Sequence, residues 1–251
     1  GLTAALQLAA LEVPVELVER ERQLGGQWRE IRYQADGSDP AAEMQALVAR
    51  VEAEEGITLH LGAELKEFGG RLGNYRSLVG ANGTERVVEH GVLVVATGGN
   101  PAPSDEYLYG QDPRVLTQRE LEQQIADGQE KLRGAEKLVM IQCVGSRNDE
   151  HNYCSRVCCS HSVKNALKLK EINPEMDIYI LFRDMRTYGL MEDYYREASE
   201  KDVKFIQYEP DDKPQVEAVE EEGRPVLRVT VPDPILGQKL ALDADCLTLS
   251  A

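Results

Sequence analysis

Several things are scarce or missing in this sequence, and each excludes something. No apolar run approaches the roughly 18 residues that a membrane-spanning helix needs. No surplus of basic residues exists: 28 Lys and Arg stand against 44 Asp and Glu, a net charge of −16. That balance argues against nucleic acid, whose phosphates require a basic face, and against docking on an anionic bilayer. Cysteines are few and odd in number, five in 251 residues, which does not suit a secreted disulfide framework. HExxH and GxSxG are absent, no loop pairs a serine with a histidine convincingly, and no internal repeat appears. The cytosol keeps thiols reduced, so four cysteines crowded into 17 positions read as metal-binding or catalytic rather than as crosslinks, and a cytoplasmic setting is expected. The first residue is Gly1 rather than Met and the last residues are apolar, so the sequence reads as a segment of a longer protein.

What is present describes an ordinary globular chain, 42% apolar and 29% charged, long enough for two modest domains. Leu2, Ala5, Leu6 and Ala9 recur at helical spacing. Pro14 marks a turn, and Val15–Glu19 reads as a short strand. A helix followed by a strand ending in an acid is the second half of a dinucleotide-binding βαβ unit. Gly1 stands where the third glycine of that motif belongs, and Glu19 where a carboxylate accepts ribose hydroxyls. Gly25 and Gly26 follow in "LGGQ". Asp39 and Pro40 open a second helix with Met44, Leu47, Val48 and Val51 as its apolar stripe. "ITLHLGAEL" reads as a strand. A β-rich segment spans 75–88 with Asn82-Gly83 as its hairpin turn, and Val92–Ala96 reads as a buried strand ending at "TGG".

That order resembles the flavoproteins with two dinucleotide-binding domains, such as thioredoxin reductase. The resemblance implies an α/β fold of two Rossmann-like domains with a β-meander insertion, and FAD as cofactor. It places Gly1 and Glu19, with Arg20 beside it, at the ADP half of FAD. Gly25, Gly26 and Gln27 come to the pyrophosphate and flavin side, the Leu65 backbone to the adenine, and Ala96, Thr97 and Gly98 over the nucleotide.

A Pro-rich connector then leads to a helix over 118–126, and Lys137–Ser146 opens a second βαβ unit whose second strand is "MDIYILFRD". The domains are expected at 1–112 and 113–251. The loop after the strand at 137 should carry GxGxxG, but it reads "QCVGSRNDEHNYCSRVCC", with Gly145 its only glycine. The pyrophosphate cradle is missing, and NAD(P) binding is expected to be lost with it. Cys143, Cys154, Cys158 and Cys159 stand in its place. Four thiols between a strand end and a helix start suit an iron–sulfur cluster, a tetrahedral zinc or a redox dithiol; inert buried thiols are the plain alternative. Cys246, alone in an apolar strand, reads as core. His151 and His161 read as exposed loop residues, and Arg183, Asp184, Arg186 and Tyr188 as salt-bridged surface or an intersubunit contact. A helix over 191–200, a strand "VKFIQY", an acidic loop over 209–225 and the strand pair "VLRVTV" and "CLTLS" complete the chain.

"CVGSR", "YCSRVCC" and "RDMRTYG" together resemble the HdrA family, the flavin-bearing component of heterodisulfide reductase. The resemblance implies a [4Fe–4S] cluster on Cys143, Cys154, Cys158 and Cys159 beside FAD, within an electron-transfer oxidoreductase of a kind associated with electron bifurcation. It also implies partners: other heterodisulfide-reductase-type subunits and ferredoxin-like carriers, with a homodimer inside a larger complex compatible with it. Two other readings stand against it. One is an NAD(P)H-dependent flavoprotein disulfide or enoate reductase with a zinc or dithiol site, which needs an intact second glycine loop. The other is a cofactor-free scaffold subunit.

Overall fold

The computed structural model describes residues 1–250 except 82, 103, 129 and 222, and only the backbone of residue 131. The chain divides into two compact units, residues 1–33 with 37–100, and residues 34–36 with 101–251.

In the first unit, helix α1 (Leu2–Ala9) precedes strand β1 (Val15–Glu19), and helix α2 (Pro40–Ala53) precedes strand β2 (Ile57–Leu61). β1 and β2 run parallel, with Val15 opposite Ile57 and Glu19 opposite Leu61. Asp39 caps α2, its side chain accepting from the N–H groups of Ala41 and Ala42 ahead of Pro40, as the sequence leads one to expect. Ala5, Leu6, Leu24, Val51 and Ile57 form the core between helices and strands. The expected single strand over "ITLHLGAEL" is broken: Gly62 turns at φ +62 and the chain resumes as β3 (Ala63–Arg71). β3, β4 (Asn74–Ala81) and β5 (Thr84–His90) form an antiparallel meander. Ala81 pairs with Thr84 across the hairpin turn; Asn82, the first residue of that expected turn, lies outside the described residues.

Residues 92–96 do not form the expected buried strand. They join no ladder, and Val92 and Val95 are 72% and 76% exposed. A strand that is apolar on both faces needs cover on both, and the parallel sheet described in this unit consists of β1 and β2.

The second unit is a five-stranded parallel sheet in the order β6 (Val115–Thr117), β13 (Cys246–Leu249), β7 (Lys137–Ile141), β8 (Asp177–Phe182), β9 (Val203–Gln207). Helix α3 (Gln118–Ala126) and the short α4 (Glu130–Arg133) precede β7. Helix α5 (Cys158–Ile172) connects β7 to β8, and α6 (Met191–Glu200) connects β8 to β9. A second meander, β10 (Gln215–Glu221), β11 (Arg224–Asp233) and β12 (Gln238–Ala244), supplies Leu227, Val229, Val231 and Leu242 to one apolar cluster with Val139, Ile141, Leu181 and Leu247 of the sheet. Leu138 and Met140 alternate onto the opposite face and are also fully buried.

Three sequence expectations change here. The acidic stretch expected as a loop contains β10, because Val216 and Val219 gain a ladder partner in β11. "VLRVTV" and "CLTLS" do not pair: the first lies in β11, and the second contains β13, which enters the parallel sheet between β6 and β7. The expected boundary at 112 falls earlier, since Tyr107, Leu108 and Tyr109 pack against the second unit's core. Arg114 Nη1 also donates to the Pro225 carbonyl at 2.6 Å, tying the connector to β11.

Candidate functional site

Ligand sites in parallel α/β sheets lie beyond the carboxyl ends of the strands. In the second unit those ends are crowded with polar groups. Cys143 follows β7 by two residues, Cys154 lies in the following loop, and Cys158 and Cys159 are the first residues of α5. All four line one pocket, together with Ser146, Arg147, Ser155, Arg156, Asp184 and Arg186. All five cysteines of the chain are free thiols. The N-cap of α5 is Val157, which offers no side-chain oxygen to the first turn. The positive end of the helix is therefore turned toward the thiols, an environment that favours negative charge.

The loop is pinned from far along the chain. Tyr208 donates its hydroxyl to the Gln142 carbonyl at 2.6 Å, and the Val144 N–H donates to the Ser250 carbonyl at 3.0 Å. The Gly145 N–H donates to Glu106 Oε1 at 2.9 Å. Arg183 Nη1 donates to the carbonyls of Ser146 and Arg147, at 3.3 and 2.8 Å. Held this way, three non-glycine residues take left-handed backbone: Cys143 at φ +61, Arg147 at +57 and Arg156 at +64. Such conformations persist only where the surroundings over-determine them. Gln142 Oε1 and Arg183 Nε are buried without a hydrogen-bond partner.

Arginine dominates the charge at the pocket. Arg147 donates one Nη to Cys143 Sγ at 3.7 Å and the other to Asp184. Arg186 reaches the same carboxylate at 3.4 Å. Its hydrogen bond from Arg147 holds the Asp184 carboxyl below the usual carboxylate range. Burial pushes the Cys159 thiol up to about 11 and raises that of Cys158, against the opposing 2.7 Å contact with Ser155 Oγ. A metal at this pocket must therefore displace protons from these thiols. Among the described residues no group of three or more His, Cys, Asp or Glu side chains is arranged to hold a single metal ion. The donor set itself, four thiols around one pocket, is of the chemical kind that binds iron–sulfur clusters and zinc as thiolates.

Other expectations resolve differently. Cys246 is core, 7% exposed. His151 is an exposed loop residue, its Nδ1 3.1 Å from the Gly145 carbonyl oxygen. His161 is not in a loop but in the first turns of α5, partly buried, 2.6 Å from the buried Glu122 carboxylate, which also meets Lys164 at 2.9 Å. Arg183 is no surface cation, because it clamps loop carbonyls, whereas Tyr188 is 60% exposed. Glu106, Tyr208 and Ser250 were not singled out by sequence reading. They act on the loop through contacts 39 or more residues away in sequence, which leave no local pattern.

In the first unit the structure gathers some of the expected nucleotide residues. Gln27 donates its amide to the Gly99 carbonyl and to Asn100 Oδ1 (2.9 Å), so "GGQ" lies against the "TGG" turn. Gly1 lies by Ala96; a methyl built on Gly1 would come 3.7 Å from the Ala96 Cβ. Gly26 and Gly98 have positive φ and open space over their Cα atoms. Gly25, at φ +110, is packed instead: a Cβ there would fall 2.5 Å from Met44 Sδ. Glu19 accepts from the Glu21 N–H at 2.9 Å at the end of β1. Arg20 lines a different groove, with Gly62, Glu64, Lys66, Gly80 and Thr84. Leu65 is half-exposed on β3 at a register shift.

No family model matches the chain. By sequence the chain is similar to the HdrA component of the H(2)/formate:CoB-CoM heterodisulfide,ferredoxin reductase of Methanococcus maripaludis, 34% identical over 184 residues, 65% of this chain and 27% of that protein. It is similar also to the iron-sulfur HdrA component of the CoB–CoM heterodisulfide reductase of Methanocaldococcus jannaschii, 37% identical over 160 residues, 59% of this chain and 24% of that protein. The chain thus spans about a quarter of the length of the curated relatives it matches. Among solved structures, thioredoxin reductases of T. acidophilum and Lactococcus lactis each give a TM-score of 0.59, at 13% and 17% identity, covering all of this chain and 73% of theirs. At that identity the likeness is one of fold, the two-domain α/β flavoprotein type.

Proposed function

We propose that the chain, similar over about two thirds of its length to HdrA components of heterodisulfide reductases, belongs to that family and forms part of an electron-transfer oxidoreductase, holding FAD on its first unit and a [4Fe–4S] cluster on its second. The observation that carries this reading is the convergence of Cys143, Cys154, Cys158 and Cys159 on one pocket at the carboxyl end of the parallel sheet. FAD on the first unit would supply two-electron chemistry, and a cluster held by Cys143, Cys154, Cys158 and Cys159 would supply one-electron transfer.

The chain's own residues supply the binding. Gly26 and Gly98, open above their Cα atoms, allow close backbone approach, and Gln27 fixes the two glycine turns against each other. Gly1 is the N-cap of α1, and Glu19, the last residue of β1, is the proposed acceptor for ribose hydroxyls. Leu65 and Arg20 stand at the meander for the adenine side. In the second unit the four thiols are the ligands, α5 offers its N-terminus, and the pinned 142–147 loop fixes Cys143. With only Gly145 in that loop, an NAD(P) pyrophosphate has no cradle. Other heterodisulfide-reductase-type subunits and ferredoxin-like carriers in the cytoplasm are the proposed partners, and bifurcation at the flavin is the proposed reason for joining flavin and cluster.

The test is anaerobic purification with iron, zinc and flavin quantitation, and EPR of the reduced sample. About four irons per chain are expected, lost in Cys158→Ser, with flavin retained. Zinc without iron, or a colourless protein, overturns the reading.

A further inference from the structure

We propose that Arg147 sets the reduction potential of the cluster bound at Cys143, with Asp184 as the residue that aims it. The inference rests on the cluster reading above and goes further, because it assigns a role to a residue that is not a ligand.

The geometry is specific. Arg147 is held at both ends of its own backbone unit: its N–H donates to the His151 carbonyl at 2.7 Å, and its carbonyl accepts from Arg183 Nη1 at 2.8 Å. Its left-handed φ of +57 turns the side chain back across the loop it belongs to. There the guanidinium, only 19% exposed, forks between Cys143 Sγ at 3.7 Å and the Asp184 carboxylate. A guanidinium is charged at every working pH and donates in a fixed plane. The Arg147–Asp184 pair is therefore an oriented dipole with its positive end on the sulfur and its negative end beyond. Hydrogen bonds and positive charge at ligand sulfur favour the more negative, reduced state of a cluster, so they raise its potential. Arg186, 3.4 Å from the same carboxylate, withdraws part of the negative end and adds to the effect.

The experiment is an EPR-monitored redox titration of the anaerobically purified protein and its Arg147→Gln and Arg147→Lys variants, each with iron determined. Arg147→Gln is expected to disfavour reduction of the cluster by about tenfold, a drop of about 59 mV for a one-electron couple. Arg147→Lys keeps the charge but loses the fork, and its potential is expected to fall in the same direction by less. A merely structural Arg147 would change iron content or thermal stability and leave the potential where it was. Four-iron variants with unaltered potentials overturn the inference. If Arg147→Gln fails to retain iron, an unaltered potential in Arg147→Lys does the same. Absence of iron from the unaltered protein overturns the cluster reading, and this inference with it.

Discussion

A cysteine with φ near +60° carries a steric cost of roughly 1–2 kcal/mol that glycine does not. Cys143 sits at φ +61 because Tyr208, Ser250, Glu106 and Arg183 fasten the backbone around it. Cys143→Gly should therefore leave the metal-free chain at least as stable, by up to about 1 kcal/mol, while on the proposed cluster reading it abolishes iron binding. Urea midpoints and iron analysis of the same preparation read both effects. Tyr208→Phe acts the opposite way, stranding the buried Gln142 carbonyl at a cost of about 1–3 kcal/mol. Tyr208 also sets a pH limit. Burial lifts its hydroxyl far above the ordinary range, while in the unfolded chain it ionises near pH 10. The folded state then keeps a proton the unfolded state has lost, and stability falls as pH rises past about 10. An alkaline unfolding curve should show that loss, and Tyr208→Phe should blunt it.

Single elements carry their own tests. Thr117 and Glu120 form a reciprocal capping box at the start of α3, so Thr117→Ala should cost about 1 kcal/mol by chemical denaturation. This helix, like α1, α2 and α6, is legible in the sequence because cap residues and apolar periodicity act over a few positions. β10 is not legible: its glutamates look like solvated loop until β11 pairs with it. Residues 92–95 fail in the other direction, since their apolar character asks for a sheet that the described residues do not place around them. The same division runs through the site. Four thiols at strand end and helix start are local and readable. The hydrogen-bond partners that bend the loop come from β9's end, β13's end and the connector, and only the folded topology brings them there.

On the scale of the whole molecule, the division into two compact units makes 91–102 the exposed stretch to probe. Thermolysin should cut first at the exposed Val92, Leu93, Val94 and Val95. If the adjacent "TGG" turn closes over the nucleotide, added FAD should slow that cut without altering cleavage in the second unit. Mass spectrometry of timed digests reads both.

The strand order of the second sheet has one more consequence, in the time domain. β13 lies between β6 and β7, yet it is synthesised some hundred residues after either. Until the ribosome has delivered it, β7 keeps one edge bare and Val144 lacks its acceptor on Ser250. All four thiols of the pocket have left the tunnel by then, unfixed. β13 is thus the latch for the loop that presents Cys143, and that loop is fixed only once β13 has been made and has paired with β7.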